Sequence, residues 1–438
     1  GRYVVEGGAS FVVPFSKEFM NDIVVPVDKN MHAQNGQIVV VEISAQHSNR
    51  ADPVGRIVEI LGDERNKEVE IESAIRKYRL PNSWSAELLV EIKNLTETVP
   101  QDAHANRVDL RELPLVTIDG EDARDFDDAV FCLPTSGGWR LYVAIADVSH
   151  YVKPGTALDH EAYNRGNSVY FPTRVLPMLP EILSNGLCSL KPDEDRLCMV
   201  CEMNISKSGK ISQYRFYPAV MRSKARLTYN KVASILQGDT MLRTQYAALV
   251  PDLEHLHDLY NVLREERSKR GAIDFETVET KILFGKNGTI STIEPVERNV
   301  AHKIIEECML CANVSTAKFL DKYKIPSLYR NHQGPLEEKL ADLKVFLREI
   351  GLSLGTGKKK QPEPFDYGQL LEQIKDRPDY KMIQTVLLRS LCQAVYAPDN
   401  IGHFGLAYDA YTHFTSPIRR YPDLIVHRQI KTVLSGKW

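Results

Sequence analysis

The stretch Thr117-Ile118-Asp119-Gly120-Glu121-Asp122-Ala123-Arg124-Asp125-Phe126-Asp127-Asp128-Ala129-Val130-Phe131 decides how this chain reads. Asp119, Asp125, Asp127 and Asp128 stand among Ile118, Phe126, Ala129, Val130 and Phe131, which want burial. Carboxylates crowded into a small space push one another's pKa upward unless a positive charge holds them. A hard divalent cation with oxygen ligands answers that need, and Mg²⁺ commonly sits between a few carboxylates and a phosphate. A solvated acidic loop is the plain alternative, but the apolar residues on both sides place the acids at the end of a sheet. An EF-hand fails, because the alternating acids, central Gly and distal Glu of its loop are missing. Asp125-Phe126-Asp127 superficially fits a phosphatase with an aspartyl nucleophile. That motif follows a buried apolar strand, however, and here Arg124 precedes it.

The chain has 438 residues, enough for two or three domains. Its 43% hydrophobic and 26% charged residues are those of an ordinary globular protein. No apolar run approaches the ~20 residues that span a bilayer. A net charge of −3 means that any polyanion site is a local basic groove. Seven cysteines, an odd number, fit a reducing cytoplasm. Cys198/Cys201 and Cys308/Cys311 imitate zinc spacing. The first pair lies in the strand pattern Leu197–Met203, on opposite faces, and the second in a helical pattern, so both read as core cysteines.

Five short strand patterns, Tyr3–Val5, Ser10–Val13, Asp22–Val25, Gln37–Ile43 and Gly55–Leu61, suggest an all-β barrel of the oligonucleotide-binding (OB) type over residues 1–62. Residues 63–105 read as a helical connector, with helical patterns in Asp63–Tyr78 and Ser85–Leu95. An α+β domain follows over 106–438. It opens with the hairpin Ala129–Leu133/Trp139–His150, turned by Thr135-Ser136-Gly137-Gly138. Helices are expected in Tyr229–Gln237, Pro251–Lys269, Asn299–Lys324, Pro335–Ile350, Tyr367–Asp376 and Lys381–Tyr396. The basic run Lys358–Lys360 reads as a loop or a phosphate-facing tip. The chain reads as starting in mid-barrel and stopping inside an apolar helical pattern, and so as the middle of a longer protein.

A second constellation is His413-Phe414-Thr415-Ser416-Pro417-Ile418-Arg419-Arg420-Tyr421-Pro422-Asp423. Pro422 suits the first position of a helix and Asp423 its first turn. That helix start, with Arg419 and Arg420, forms a phosphate site, which supplies the charge that the acids need in phosphoryl chemistry.

The acidic run, the segment Asn167–Pro172 with Pro177–Pro180, and His413–Asp423 together resemble the ribonuclease II (RNB) family, in that family's order and over essentially the whole chain. The resemblance implies a cold-shock barrel, a connector and an RNB catalytic domain. It further implies a hydrolytic, processive 3′→5′ exoribonuclease that releases 5′-nucleoside monophosphates. The expected substrates are single-stranded RNA and structured RNA with a 3′ overhang, and the expected form is a cytoplasmic monomer. By similarity Asp119, Asp125, Asp127 and Asp128 hold two Mg²⁺, for which Mn²⁺ can substitute, and Arg419 stabilises charge on the scissile phosphate. An extended Asp125–Asp127 puts two carboxylates on one face, with Gly120 allowing the turn back to Asp119. Arg420 is a further RNA-binding candidate. Tyr170 and Phe275 match aromatics that clamp bases, which suits a sequence-indifferent enzyme. Tyr229 and Glu307 match ribose-reading positions, with Glu306 an alternative to Glu307. Family members carry another cold-shock barrel, a C-terminal RNA-binding barrel and further catalytic residues that this sequence does not contain. Other readings of the same acids are an inactive RNA-binding core and a metal-dependent phosphatase or DNA nuclease.

Overall fold

The computed structural model describes residues 1–438 except 17–18, 46–51, 65, 97, 276–278, 286–288, 358–360 and 437–438. Lys358–Lys360, the basic run noted above, thus lies outside the described residues. Two units are distinguished. One comprises Gly1–Trp84, Val169–Leu176 and Glu279–Val296, and the other comprises Ser85–Ser168, Pro177–Val278 and Glu297–Trp438.

In the first unit, alternating apolar residues build a closed five-stranded barrel in the order β1-β2-β3-β5-β4. Its strands are β1 (Arg2–Glu6), β2 (Ala9–Val13), β3 (Ile23–Val24), β4 (Gln37–Ala45) and β5 (Val54–Asp63), one for each strand pattern in the sequence. Tyr3, Val12, Ile23, Val25, Val39 and Ile57 fill the interior. The sequence reads as starting in mid-barrel, but pairing of Arg2 with Ile38 closes the ring within these strands. Helix α1 (Lys67–Lys77) follows, and its Ile71 and Ile75 pack with Leu176 of the small hairpin β10 (Val169–Tyr170)/β11 (Val175–Leu176). The hairpin β15 (Glu279–Phe284)/β16 (Ile290–Val296) completes this unit.

The second unit is built on a five-stranded sheet in the order β6-β13-β12-β9-β8. These strands are β6 (Val108–Asp109), β8 (Asp128–Thr135), β9 (Gly138–Ala146), β12 (Asp195–Ser206) and β13 (Ile211–Arg222). Only β6 runs parallel to its neighbour. Gly138, at φ +144°, turns the β8–β9 hairpin where an added Cβ would lie 2.1 Å from the Ile205 carbonyl oxygen, so glycine is required. A separate parallel pair joins β7 (Thr117–Asp119) to β14 (Arg226–Thr228).

Helices α2 (Ala86–Ile92), α3 (Val148–Tyr151) and α4 (Ala157–Arg165) precede β12, and α5 (Tyr229–Leu236), α6 (Thr240–Gln245), α7 (Val250–Arg270) and α8 (Val300–Lys322) follow β14. The main core joins Leu141, Val143, Met199 and Cys201 of the sheet to Leu256 and Leu259 of α7, to Ile304, Cys308 and Cys311 of α8 and to Phe414. Cys198 and Cys201 are buried on β12, and all seven cysteines are free thiols. Helices α9 (Glu337–Glu349), α10 (Pro364–Ile374) and α11 (Tyr380–Ser390) form a satellite core around Leu347, Tyr367 and Leu387. Helix α12 (Tyr421–Leu434) ends the elements.

Two expectations need correction. The second hairpin strand stops at Ala146, because Asp147 turns inward and opens α3. The helix expected to reach Tyr396 stops at Ser390, and Val395–Ala397 becomes strand β18, paired with β17 (Tyr329–Asn331). Pro398 follows Ala397 and disfavours helical geometry there.

Asp147 is fully buried and explains how α12 is held. Its carboxylate accepts hydrogen bonds from Lys431 Nζ of α12 at 2.6 and 2.8 Å, from Arg107 Nη2 at 2.7 Å and from Ser149 Oγ at 2.8 Å. Burial alone would raise its pKa, but Lys431 and Arg107 outweigh burial and hold the group below the usual carboxylate range. Asp147→Asn strands the buried Arg107 guanidinium and the partly buried Lys431 ammonium, and a loss of about 3 kcal/mol is expected in urea unfolding. A carboxylate whose folded pKa lies below its unfolded value contributes fully above about pH 5, and that contribution fades as pH falls further. The stability gap between wild type and variant should therefore narrow below about pH 4.

Candidate active site

The acids are placed by two strand ends. Buried Ile118 pairs with Leu227, so Asp119 emerges at the end of β7 opposite Thr228. Asp128 opens β8 opposite Ile145 of β9. Between them the chain turns through Gly120–Ala123, where the Ala123 N–H donates to the Gly120 carbonyl at 3.3 Å. Arg226 Nη2 donates to the carbonyls of Gly120 and Glu121, both at 2.7 Å, while its guanidinium lies 5.5 Å from the Phe126 ring. The Gly120 φ is not left-handed and a Cβ there would meet open space, so Arg226, not glycine freedom, fixes the turn. On the other side Ser189 staples the segment. Its Oγ donates to the Arg124 carbonyl at 2.7 Å and accepts from the Phe126 N–H at 3.0 Å.

Asp127 is 4% exposed and is met from a segment nearly three hundred residues away. Its Oδ1 accepts from the Ile418 N–H at 2.9 Å, and its Oδ2 lies 3.7 Å from Arg419 Nε. The loop that delivers these groups is bolted into the core. Phe414 is fully buried and stacks on His427 at 4.5 Å. The Phe414 N–H donates to Asn313 Oδ1 of α8 at 2.9 Å. Asp423 Oδ1, in the first turn of α12, accepts from the Ser416 N–H and from Arg420 Nη2, both at 2.8 Å. The two arginines therefore divide their tasks. Arg420 braces the helix start, and Arg419, half-exposed, steadied by Ser416 Oγ at 3.1 Å, reaches the acids.

Desolvation dominates the electrostatics. Burial raises the pKa of Asp119, and the Asp125 charge adds to it. Burial raises that of Asp127 further, against Arg419 and the Ile418 N–H. Asp128 is pushed up to about 7 by burial and by the charge of Asp119. Such a set is short of positive charge. Among the described residues no three acidic, thiol or imidazole groups converge tightly enough to cage an ion.

The other candidates fall in different places. Tyr229 directly follows Thr228 and starts α5 beside the acids. Burial raises its pKa, with the Asp119 and Asp128 charges adding to the effect. Glu307 on α8 is 5% exposed and accepts from Arg267 Nη1 of α7 at 2.7 Å. Glu306 shares Arg267 at 3.0 Å and also pairs with Arg298. Phe275 packs against the satellite core of α9–α11. Tyr170 belongs to the first unit, on β10, 53% exposed. Sequence reasoning missed Arg226, Ser189 and Asn313, which hold loops through backbone atoms and carry no motif of their own.

A buried aspartate is met by an arginine loop on an α+β scaffold, and an OB-type barrel precedes that scaffold in sequence. The RNB domain family matches residues 107–436 and the cold shock domain family matches 11–85, so the chain belongs to the RNB family. It is 56% identical to ribonuclease R of Vibrio cholerae and 55% identical to that of Escherichia coli, each over 99% of this chain and 53% of the relative. The chain thus spans about half the length of these curated relatives. A solved structure of Mycoplasma genitalium RNase R in complex with double-stranded RNA matches with a TM-score of 0.92 at 29% identity, over 99% of this chain and 77% of that one. Among the described residues no helix is long and apolar enough to cross a membrane.

Arg226→Ala removes two charge-assisted bonds from the Gly120–Ala123 turn without touching the core. Amide hydrogen exchange at residues 120–126 should quicken by about tenfold or more, with little change in the melting temperature. Unchanged exchange would show that the turn holds itself.

Proposed function

We propose that this chain is the catalytic core of a cytoplasmic, hydrolytic, processive 3′→5′ exoribonuclease that acts as a monomer. Its products are 5′-nucleoside monophosphates, and its substrates are single-stranded RNA and structured RNA with a 3′ overhang. The observation that carries this reading is the meeting of Asp127 with Ile418 and Arg419, which joins the acidic and arginine motifs in one place. Identity above one half to two ribonucleases R supports the same reaction class.

In this reading Asp119, Asp125, Asp127 and Asp128 hold divalent cations, Mg²⁺ or Mn²⁺. Bound there, the cations supply an activated water and stabilise the departing oxygen. The chain's own groups do the rest. The Ile418 N–H fixes the Asp127 carboxylate, and Asp127 orients Arg419 without burying it, which leaves a planar donor for the scissile phosphate. Tyr229, walled in beside Asp119, contacts the ribose, where the 2′-OH separates RNA from DNA. Glu307 is already paired with Arg267 and serves this contact through the arrangement of α8 and α7. Glu306, which shares Arg267 and Arg298, is the alternative. Tyr170 and Phe275 supply aromatic faces for base stacking. Arg420, turned to Asp423, assists RNA binding by holding the loop that presents Arg419.

The first test is a time course on a 5′-labelled 3′-overhang RNA duplex with Mg²⁺ or EDTA. Mg²⁺-dependent shortening with mononucleotide release, matched DNA being untouched, is expected. Binding without shortening would leave an RNA-binding core, and equal action on DNA would leave a general nuclease. Asp127→Asn and Asp128→Asn should each lower hydrolysis on the order of 10³-fold while RNA affinity stays near wild type. Near-normal turnover in either would remove that residue from the metal set. Tyr170→Ala should change the length of the smallest product without stopping degradation, and an unchanged product ladder would remove Tyr170 from base stacking.

A further inference from the structure

Tyr229 does not stand alone beside the acids. The imidazole of His302 covers one face of its ring, with centroids 3.8 Å apart and planes 18° from parallel. His302 is the third residue of α8 and is itself pinned. Its Nδ1 lies 3.2 Å from the Asn299 N–H in a capping box, while Asn299 Oδ1 accepts from the Ala301 N–H at 3.0 Å. Asn299 Nδ2 in turn donates to Asn230 Oδ1 at 3.3 Å, so the consecutive residues Tyr229 and Asn230 are each held by a member of this cap. A capping box ordinarily uses Glu or Gln at its third position. The cap alone does not call for an aromatic ring, whereas a flat face for Tyr229 does.

We infer that His302 is a positioning residue for sugar discrimination. It is the platform that holds the Tyr229 phenol at the angle from which its hydroxyl meets the 3′-terminal ribose. This rests on the reading of Tyr229 as a ribose contact. Strand pairing fixes the Tyr229 backbone through Thr228 and Asp119, but the ring still turns about its side-chain bonds. Face-on stacking against a side chain locked in a helix cap limits that rotation. A hydrogen bond to a 2′-OH is lost with modest misalignment, so the stack acts on the choice between ribose and deoxyribose and not on phosphate chemistry.

The experiment compares kcat/KM on an RNA oligonucleotide with kcat/KM on the same oligonucleotide bearing a single 3′-terminal deoxynucleotide. His302→Gln keeps the cap and removes the ring, while His302→Phe keeps a ring and removes the cap acceptor. The ratio of the two substrates should fall about 3- to 10-fold in His302→Gln with the melting temperature unchanged, and should be retained in His302→Phe. Tyr229→Phe should lower the ratio as well, and adding His302→Gln to it should cost little more, because both changes remove one contact. An unaltered ratio in His302→Gln beside a lowered one in Tyr229→Phe would overturn the positioning role and leave the ribose reading standing. An unaltered ratio in Tyr229→Phe would overturn the ribose reading and the positioning role together. A lowered ratio in His302→Phe beside an unaltered one in His302→Gln would assign the effect to the cap and overturn the stack.

Discussion

The hydrogen bond from the Ile418 N–H to buried Asp127 is the contact on which the site depends. A carboxylate that is 4% exposed and crowded by Asp125 and Asp128 is costly to ionise. A backbone donor and a nearby guanidinium lower that cost, because both favour the charged form. The bond also carries position. Ile418 is itself 1% exposed, so its N–H is anchored by packing, and the arginine that follows it is delivered beside Asp127.

That geometry has a longer support. The loop Phe414–Arg420 hangs between Asn313 on α8 and Asp423 on α12, and α12 is in turn tied to the end of β9 through Lys431 and Asp147. Asp128 opens the strand that pairs with β9. The acids and the arginine loop are therefore mounted on the same hairpin by two routes. One is the strand ladder and the other is the buried ion cluster. A buried cluster of this kind is a weak source of net stability, since desolvation offsets its attraction. Its directional hydrogen bonds do fix the angle at which α12 approaches the sheet.

Much of this was legible in the residues. Five short strand patterns within residues 1–62 announced a barrel, and Pro422-Asp423 announced the start of α12. The acidic run and the paired arginines announced the site. What stayed hidden had no local signature. Nothing in Arg226-Leu227-Thr228 says that its arginine will hold the acidic turn by two carbonyls, because the partners are backbone atoms that every residue has. Arg419 and Arg420 look alike in sequence, and only the fold turns one to Asp423 and the other to Asp127. Glu306 and Glu307 are separated by one helical step; both accept from Arg267, but the step buries the second and leaves the first to pair with Arg298 as well. The early end of helix α11 has a related cause. Its strand partner, Tyr329–Asn331, lies far away in sequence, and tertiary pairing there overrode a helical pattern.

The electrostatics of the site then explain why its supports are so numerous. Asp119, Asp127 and Asp128 all have raised pKa values, chiefly because burial disfavours their charged forms, with neighbouring acids adding to it. Left to relax, such a cluster would open toward water or take up protons. Three devices resist opening: Arg226 and Ser189 clamp the acidic segment, and Ile418 caps Asp127. The unmet charge is thereby kept in place instead of dispersed. On the reading proposed above, a site held in this condition would bind a cation with less reorganisation, because the repulsion is present before the ion arrives. The same logic reaches Tyr229, whose pKa burial raises, with the Asp119 and Asp128 charges adding to the effect. Keeping its ring aimed is a steric task, and in this structure the face of His302 and the cap of α8 take it on.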